Sequence, residues 1–244
     1  MVMKLDQVVP FGRSADEYIR MFTLTEADQR RTILGVGDGP ASFNAELTTQ
    51  GGQVTSVDPL YAFTAEEIQA RFEAVLDPIM DQVQATPNDW VWSYHGSPAG
   101  LRHNRIRVME RFCQDYQLHR HSGRYVVGSL PQLPFNPNAF DLALCSHLLF
   151  LYSEQLSYAF HRQSILEMLR VAPEVRIFPL LTLMLTRSPH LDPIQEEVRA
   201  WGYDVRIQPT AYELQKGARE MLVITRPTDH EGIPTSPAAV AEAE

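Results

Sequence analysis

The sequence predicts an α/β fold around a mostly parallel sheet, on three observations. Residues 32–58 read as strand, Gly-rich turn, helix and second strand, the unit that joins two parallel strands. Residues 140–145 form an apolar run of the kind found in a strand buried on both faces. Short apolar runs alternate with helical patterns up to Phe178, which is the rhythm of such a sheet.

The elements follow in order. Ser14 to Glu17 is a capping box that predicts a helix through Phe22, and Thr25 starts a second helix leading into the first strand, so residues 1–30 read as a helical cap. Ile33 and Leu34 open that strand. Gly37 and Gly39 supply the turn, Pro40 sits where a first helical residue belongs, and Gly51-Gly52 ends the helix. The glycines are expected to bring backbone N–H groups close to an anion, with the helix N-terminus adding roughly half a positive charge. The second apolar run ends in Asp58, 21 residues after Gly37, where a carboxylate can accept from both hydroxyls of a ribose.

Residues 61–124 exceed the length of a simple crossover and read as a helical insertion. Two amphipathic helices are expected within it, at 64–85 and 98–118, with Pro78 as a place of interruption. Between them Trp90, Trp92 and Tyr94 either pin a loop to the core or wall a pocket. A third strand is expected at 125–128. The fourth, at 140–145, delivers Ser146, His147 and Tyr152 to the sheet edge where ligands bind in open α/β folds. A helix at 154–171 leads to a fifth strand stopped by Pro179. Asp192-Pro193 opens a last helix, and two β runs at 204–208 and 221–225 follow with no helical pattern between them. One domain over 1–226 accounts for all of this, with 227–244 read as a disordered tail because it lacks periodic apolar positions.

Taken together, the Gly37–Asp58 unit, Leu133-Pro134-Phe135, residues 141–149 and residues 166–171 resemble the class I, Rossmann-like methyltransferases that use S-adenosylmethionine, over about residues 30–180. The resemblance implies a Rossmann-like methyltransferase sheet ending in an antiparallel hairpin, helices on both faces, and S-adenosylmethionine as cofactor. It places the cofactor against Gly35, Gly37, Gly39, Asp58, Pro59, Ser129, Leu130, Cys145 and Ser146. Two positions depart from the family pattern: Gly35 stands where an acidic residue ends the first strand, and Ser129 where one follows the third. His147 and Tyr152 are the catalytic candidates, His147 because an unperturbed imidazole titrates near pH 6.5. Its rival role is a backbone prop under the cofactor. The N-terminal segment often covers the pocket in this family, so Phe11, Arg13 and Tyr18 are the candidates for holding the acceptor.

The net charge of −9 and a pI near 5.4 favour a small-molecule partner over nucleic acid or a bare membrane surface. Residues 102–124 run against this acidic balance, but Arg102, Arg105 and Arg107 are expected on the polar side of their helix. Cys113 and Cys145 lack the spacing of a disulfide framework or a thiolate zinc site, and with no secretory leader the expected compartment is the cytoplasm. No apolar run reaches the ~18 residues of a membrane span. No metal site is expected. The expected function is methyl transfer to a small molecule, with a catalytically silent cofactor- or partner-binding protein as the alternative and an RNA methyltransferase behind it. A dinucleotide oxidoreductase is disfavoured, since Ser42 stands where Gly-x-Gly-x-x-Gly requires its third glycine.

Overall fold

The computed structural model describes residues 9–227, so the tail expected from 227 onward lies outside the described residues beyond Pro227. The strands are β1 Thr32–Val36, β2 Gln53–Val57, β3 Tyr125–Val126, β4 Leu142–Ser146, β5 Glu174–Phe178, β6 Asp204–Pro209 and β7 Glu220–Thr225. They form one sheet in the order β3-β2-β1-β4-β5-β7-β6. The first five are parallel, while β7 runs antiparallel to both β5 and β6. This is the Rossmann-like sheet with the closing hairpin that the resemblance implies. Val36 pairs with Val57 on one side and Cys145 on the other, which aligns the carboxyl ends of β1, β2 and β4 along one edge.

The helices are α1 Ala15–Met21, α2 Phe43–Thr49, α3 Ala65–Ala85, α4 Pro98–His119, α5 Tyr158–Val171 and α6 Leu191–Ala200. Side chains of α1 to α4, among them Tyr18, Phe43, Ile68, Phe72, Phe112 and Tyr116, pack as one apolar cluster, and those of α5 and α6 join a second with Leu34, Ala143 and Ile177 of the strands. Helices therefore cover both faces of the sheet.

Local chemistry explains where the elements differ from expectation. The segment after Thr25 makes only one 3-10 turn, Asp28–Arg30, because the Asp28 carboxylate turns back to the Thr25 backbone and outward to Arg176, and β1 begins at Thr32. Pro40 is not the first residue of α2. Gly39 takes the left-handed region at φ 52°, its carbonyl accepts from Tyr61, and the helix starts only at Phe43. Gly51 and Gly52 close α2 as expected, donating to the carbonyls of Thr48 and Leu47. Pro78 does not interrupt α3, since Pro78 and Ala74 are both exposed and the carbonyl that loses its donor faces water.

Arg105 overturns the expectation that it belongs to the polar side of α4. Its side chain is 1% exposed and grips Glu17 of α1 with two bonds, Nη1 to Oε2 at 2.9 Å and Nη2 to Oε1 at 2.7 Å. Glu17 Oε2 also accepts from the Ser14 backbone at 2.9 Å, and Oε1 from the Tyr212 hydroxyl at 2.9 Å. Burial alone would raise the Glu17 carboxyl, but the Arg105 charge and the bonds from His95, Arg105 and Ser14 outweigh it and hold the group well below the usual range.

Breaking this pair from one side strands a buried charge. Arg105→Met should cost about 3–5 kcal/mol, a fall of roughly 6–20 °C in Tm for a chain of this size. The double variant Glu17→Met/Arg105→Met should melt above either single variant, as followed by circular dichroism. Because the Glu17 carboxyl is depressed in the folded state, the pair's contribution is present above the ordinary carboxylate range and lost as pH falls from that range through the depressed folded value, a loss the double variant should lack. A double variant melting below both singles, by the sum of their losses, would show that the two groups are not coupled.

Candidate functional site

The aligned ends of the parallel strands open on a cavity of about 400 Å³. Gly37, Asp38 and Gly39 reach it from the end of β1, Asp58, Pro59 and Leu60 from β2, Ser129 and Leu130 from β3, and Ser146 and His147 from β4. The segment ahead of α1 and its first turns roof it with Phe11, Arg13 and Tyr18. Of the positions expected from the sequence, Gly35, Cys145 and Tyr152 do not line this cavity. Cys145 is fully buried among the residues under α5, where burial pushes its thiol up to about 12. Tyr152 reaches a smaller cavity described below.

Gly35 has a different reason to be glycine. A Cβ there would lie 1.9 Å from Asp38 Oδ2, so the small residue admits the Asp38 side chain folding back over β1. Asp38 Oδ1 accepts from the Tyr18 hydroxyl and Oδ2 from Ser56 Oγ, each at 2.6 Å. Burial raises this carboxyl to about 6 against the pull of those two bonds. A buried acid thus stands three residues after the position where the resemblance implies one, and its place between two glycines is its only trace in the sequence.

Asp58 stands at the tip of β2 as expected. Its Oδ2 accepts from the Gly39 backbone and its Oδ1 from that of Leu60, both at 2.8 Å, and burial raises it too. Gly37 donates to the Val57 carbonyl at 2.9 Å. Both glycine N–H groups are thus consumed within the protein, which corrects the expected anion cradle. Beside them the cavity is lined by the Asp38 and Asp58 carboxylates. Four lone-pair sites on Asp58 less the two in use leave room for two hydroxyl donors.

His147 sits at φ 55° with its N–H donating to the Phe178 carbonyl at 2.7 Å and its Nδ1 2.8 Å from Ser146 Oγ. Burial, followed by the charges of Arg13 and Arg105, holds it well below the ordinary imidazole range, so the ring is neutral at neutral pH. Arg13 donates through Nη1 to the Phe11 carbonyl, while its buried Nε has no partner. Burial and then Arg105 lower its guanidinium to about 10.

A second cavity of about 80 Å³ shares Val9, Phe11, Arg13 and His147 with the first. Its far side is built by the insertion and by the loop between β6 and β7: Ile79, Val83, Leu101, Arg105, Leu214 and Gln215, together with Tyr152. Trp90 walls it too, with its ring N–H on Thr86, whereas Tyr94 pins its loop by donating to Asp16. Both roles expected of the aromatic stretch are filled, by different residues. Elsewhere in 102–124, Arg102 pairs with Asp77 at 3.0 Å, and Arg124 with Asp115 at 2.8 Å and Asn44 at 2.7 Å.

Among solved structures the chain is similar to a magnesium protoporphyrin IX methyltransferase from Synechocystis PCC 6803 with bound SAM, at 12% identity and TM-score 0.45 over 87% of this chain and 78% of that one. It is similar also to a SAM-dependent methyltransferase from Aquifex aeolicus, at 13% identity and TM-score 0.43 over 86% and 88% of the two chains. No family model matches it. An uncharacterized protein of Methanocaldococcus jannaschii, MJ0045, is 35% identical over 225 residues, which span 92% of this chain and 99% of that protein. The chain belongs to the same family as that Methanocaldococcus jannaschii protein.

Proposed function

We propose that the chain binds S-adenosylmethionine in the larger cavity and transfers its methyl group to a small molecule held in the smaller one. The observation that carries this reading is the charge of the Gly-rich turn. A dinucleotide brings a diphosphate and needs free N–H donors there. Here the donors of both glycines are spent, and Asp38 of the turn and Asp58 at the end of β2 suit a ligand with a ribose diol and a cationic amino-acid end. A cavity of about 400 Å³ is in the range of small-molecule sites. Asp58 would take the ribose hydroxyls, Asp38 the ammonium, and Leu60, Leu130 and Leu133 the adenine faces.

When bound, the cofactor supplies an electrophilic methyl carbon, to which an acceptor lone pair bonds as the C–S electron pair returns to sulfur. The chain's own residues align and desolvate the partners. With Nδ1 held by Ser146, Nε2 of neutral His147 receives the proton that an acceptor hydroxyl or amine gives up. The silent-binder alternative loses its support at Gly35, where Asp38 restores the acid.

S-adenosylhomocysteine at 100 times its Kd should add about 2.7 kcal/mol, raising Tm by roughly 5–11 °C, whereas NAD should add nothing. No shift at millimolar ligand would end the cofactor reading. Asp58→Ala should weaken that ligand about 10- to 150-fold by calorimetry, the loss of one or two charge-assisted bonds.

Asp38 gives the site a pH signature. Its ionised form attracts the ligand's ammonium, so affinity for S-adenosylhomocysteine should rise with pH up to about 6 and level off above it. In the ligand-free protein the sign is opposite: a raised carboxyl costs the folded state stability as pH climbs from the ordinary carboxylate range through about 6. Asp38→Asn should flatten both profiles. A profile unchanged in that variant would assign the titration to another group.

A further inference from the structure

Arg13 stands where the two cavities meet, and the carboxylates of the larger one, Asp38 and Asp58, bond to other groups and not to it. The cations are Arg13 and Arg105. The carboxylate acting on both is Glu17, whose oxygens are already taken by Arg105, Ser14 and Tyr212. Among the described residues Arg13 has no ion pair, and its Nε has no partner at all. Two further orphans belong to the wall of the smaller cavity, Arg105 Nε and Gln215 Oε1. Buried polar atoms are nearly always satisfied, and three of the residues that wall the smaller cavity each carry one that is not. Between them the wall is hydrocarbon, from Ile79, Val83, Leu101, Leu151 and Leu183.

Resting on the methyl-transfer reading, we infer that the acceptor is a small carboxylic acid bearing a hydroxyl or amine, its carboxylate against Arg13 and its hydrocarbon body in the smaller cavity. At about 80 Å³ against about 400 Å³ for the larger cavity, the space admits only a short body. Gln215 Oε1 is an acceptor and suits the ligand's O–H or N–H. The nucleophilic oxygen or nitrogen bonds the methyl carbon, the C–S pair leaves with sulfur, and the displaced proton goes to Nε2 of His147. The carboxylate also offsets the two guanidinium charges that depress His147, and so makes its ring a better proton acceptor when the acceptor is present.

The test uses isovalerate and its uncharged isostere isovaleramide as probes, titrated by calorimetry with and without saturating S-adenosylhomocysteine. Isovalerate should bind the wild-type protein and isovaleramide should not. Arg13→Gln should weaken isovalerate at least about tenfold, the loss of a charge-assisted pair, and more than it weakens S-adenosylhomocysteine, with Arg13→Lys between wild type and Arg13→Gln. The His147 imidazole, followed by NMR, should titrate at higher pH with isovalerate bound. Failure of isovalerate to bind, equal binding of the amide, or insensitivity to Arg13 would overturn the inference. Loss of S-adenosylhomocysteine affinity in Arg13→Gln with isovalerate unaffected would also overturn it, giving Arg13 to the cofactor's own carboxylate. If S-adenosylhomocysteine binds no variant while isovalerate still depends on Arg13, the acid site stands and the methyl-transfer reading falls.

Discussion

The buried pair of Glu17 and Arg105 is the constraint on which the upper half of the molecule depends. Glu17 is at once the third residue of α1, closing its capping box, the partner of α4, and the acceptor for Tyr212 in the loop between β6 and β7. Three segments far apart in sequence are thereby fixed over one sheet edge. The loop ahead of α4 joins the same assembly, with Val91 donating to the Leu214 carbonyl and Lys216 to that of Asp89. A buried ion pair is weak evidence for net stability, because removing two charges from water costs much of what their attraction returns. Its value here is positional. An apolar pair of equal volume could slide, whereas two bonds between a guanidinium and a carboxylate fix both the distance and the rotation of α1 against α4. The roof and far wall of both cavities are parts of that arrangement.

Most of the fold was legible because its elements carry local signals. The capping box at Ser14, the Gly51-Gly52 stop and the helical spacing of Ile68, Phe72 and Leu76 each depend on neighbours within a few residues, and the structure keeps all of them. The parallel edge was legible for the same reason, through the distance from Gly37 to Asp58. What escaped depends on partners far along the chain. Arg105 has a charged residue's pattern in its own helix, and only Glu17, 88 residues away, makes burial affordable. Asp38 reads as a turn residue until Tyr18 and Ser56 close over it. The second cavity has no sequence signature, because its walls come from the N-terminal segment, both long helices and the hairpin loop.

Gly35 and Asp38 together set where the acid of this strand end lies. An acid on β1 would point from a rigid strand. Placed between Gly37 and Gly39, both at positive φ, the same carboxylate is carried by a turn and steadied by two hydroxyl donors instead. The raised carboxyl that results is poorly solvated, and a buried anion without a cation is costly to the empty protein. A ligand that brings the cation relieves that cost, which is a source of affinity that an acid already ion-paired in the protein could not offer.

His147 lies between these opposed fields, with carboxylates on the cofactor side and guanidiniums on the other. Its backbone occupies the left-handed region, a strain of about 1–3 kcal/mol for a residue with a side chain. Two contacts on one neighbour over-determine it: the N–H bond to the Phe178 carbonyl and the packing of the imidazole 5.4 Å from the Phe178 ring. Strain held in this way aims the imidazole toward the boundary of the two cavities, when a relaxed extended backbone would turn the side chain elsewhere. Strain and opposed charges thus meet at one residue on the boundary of the two cavities.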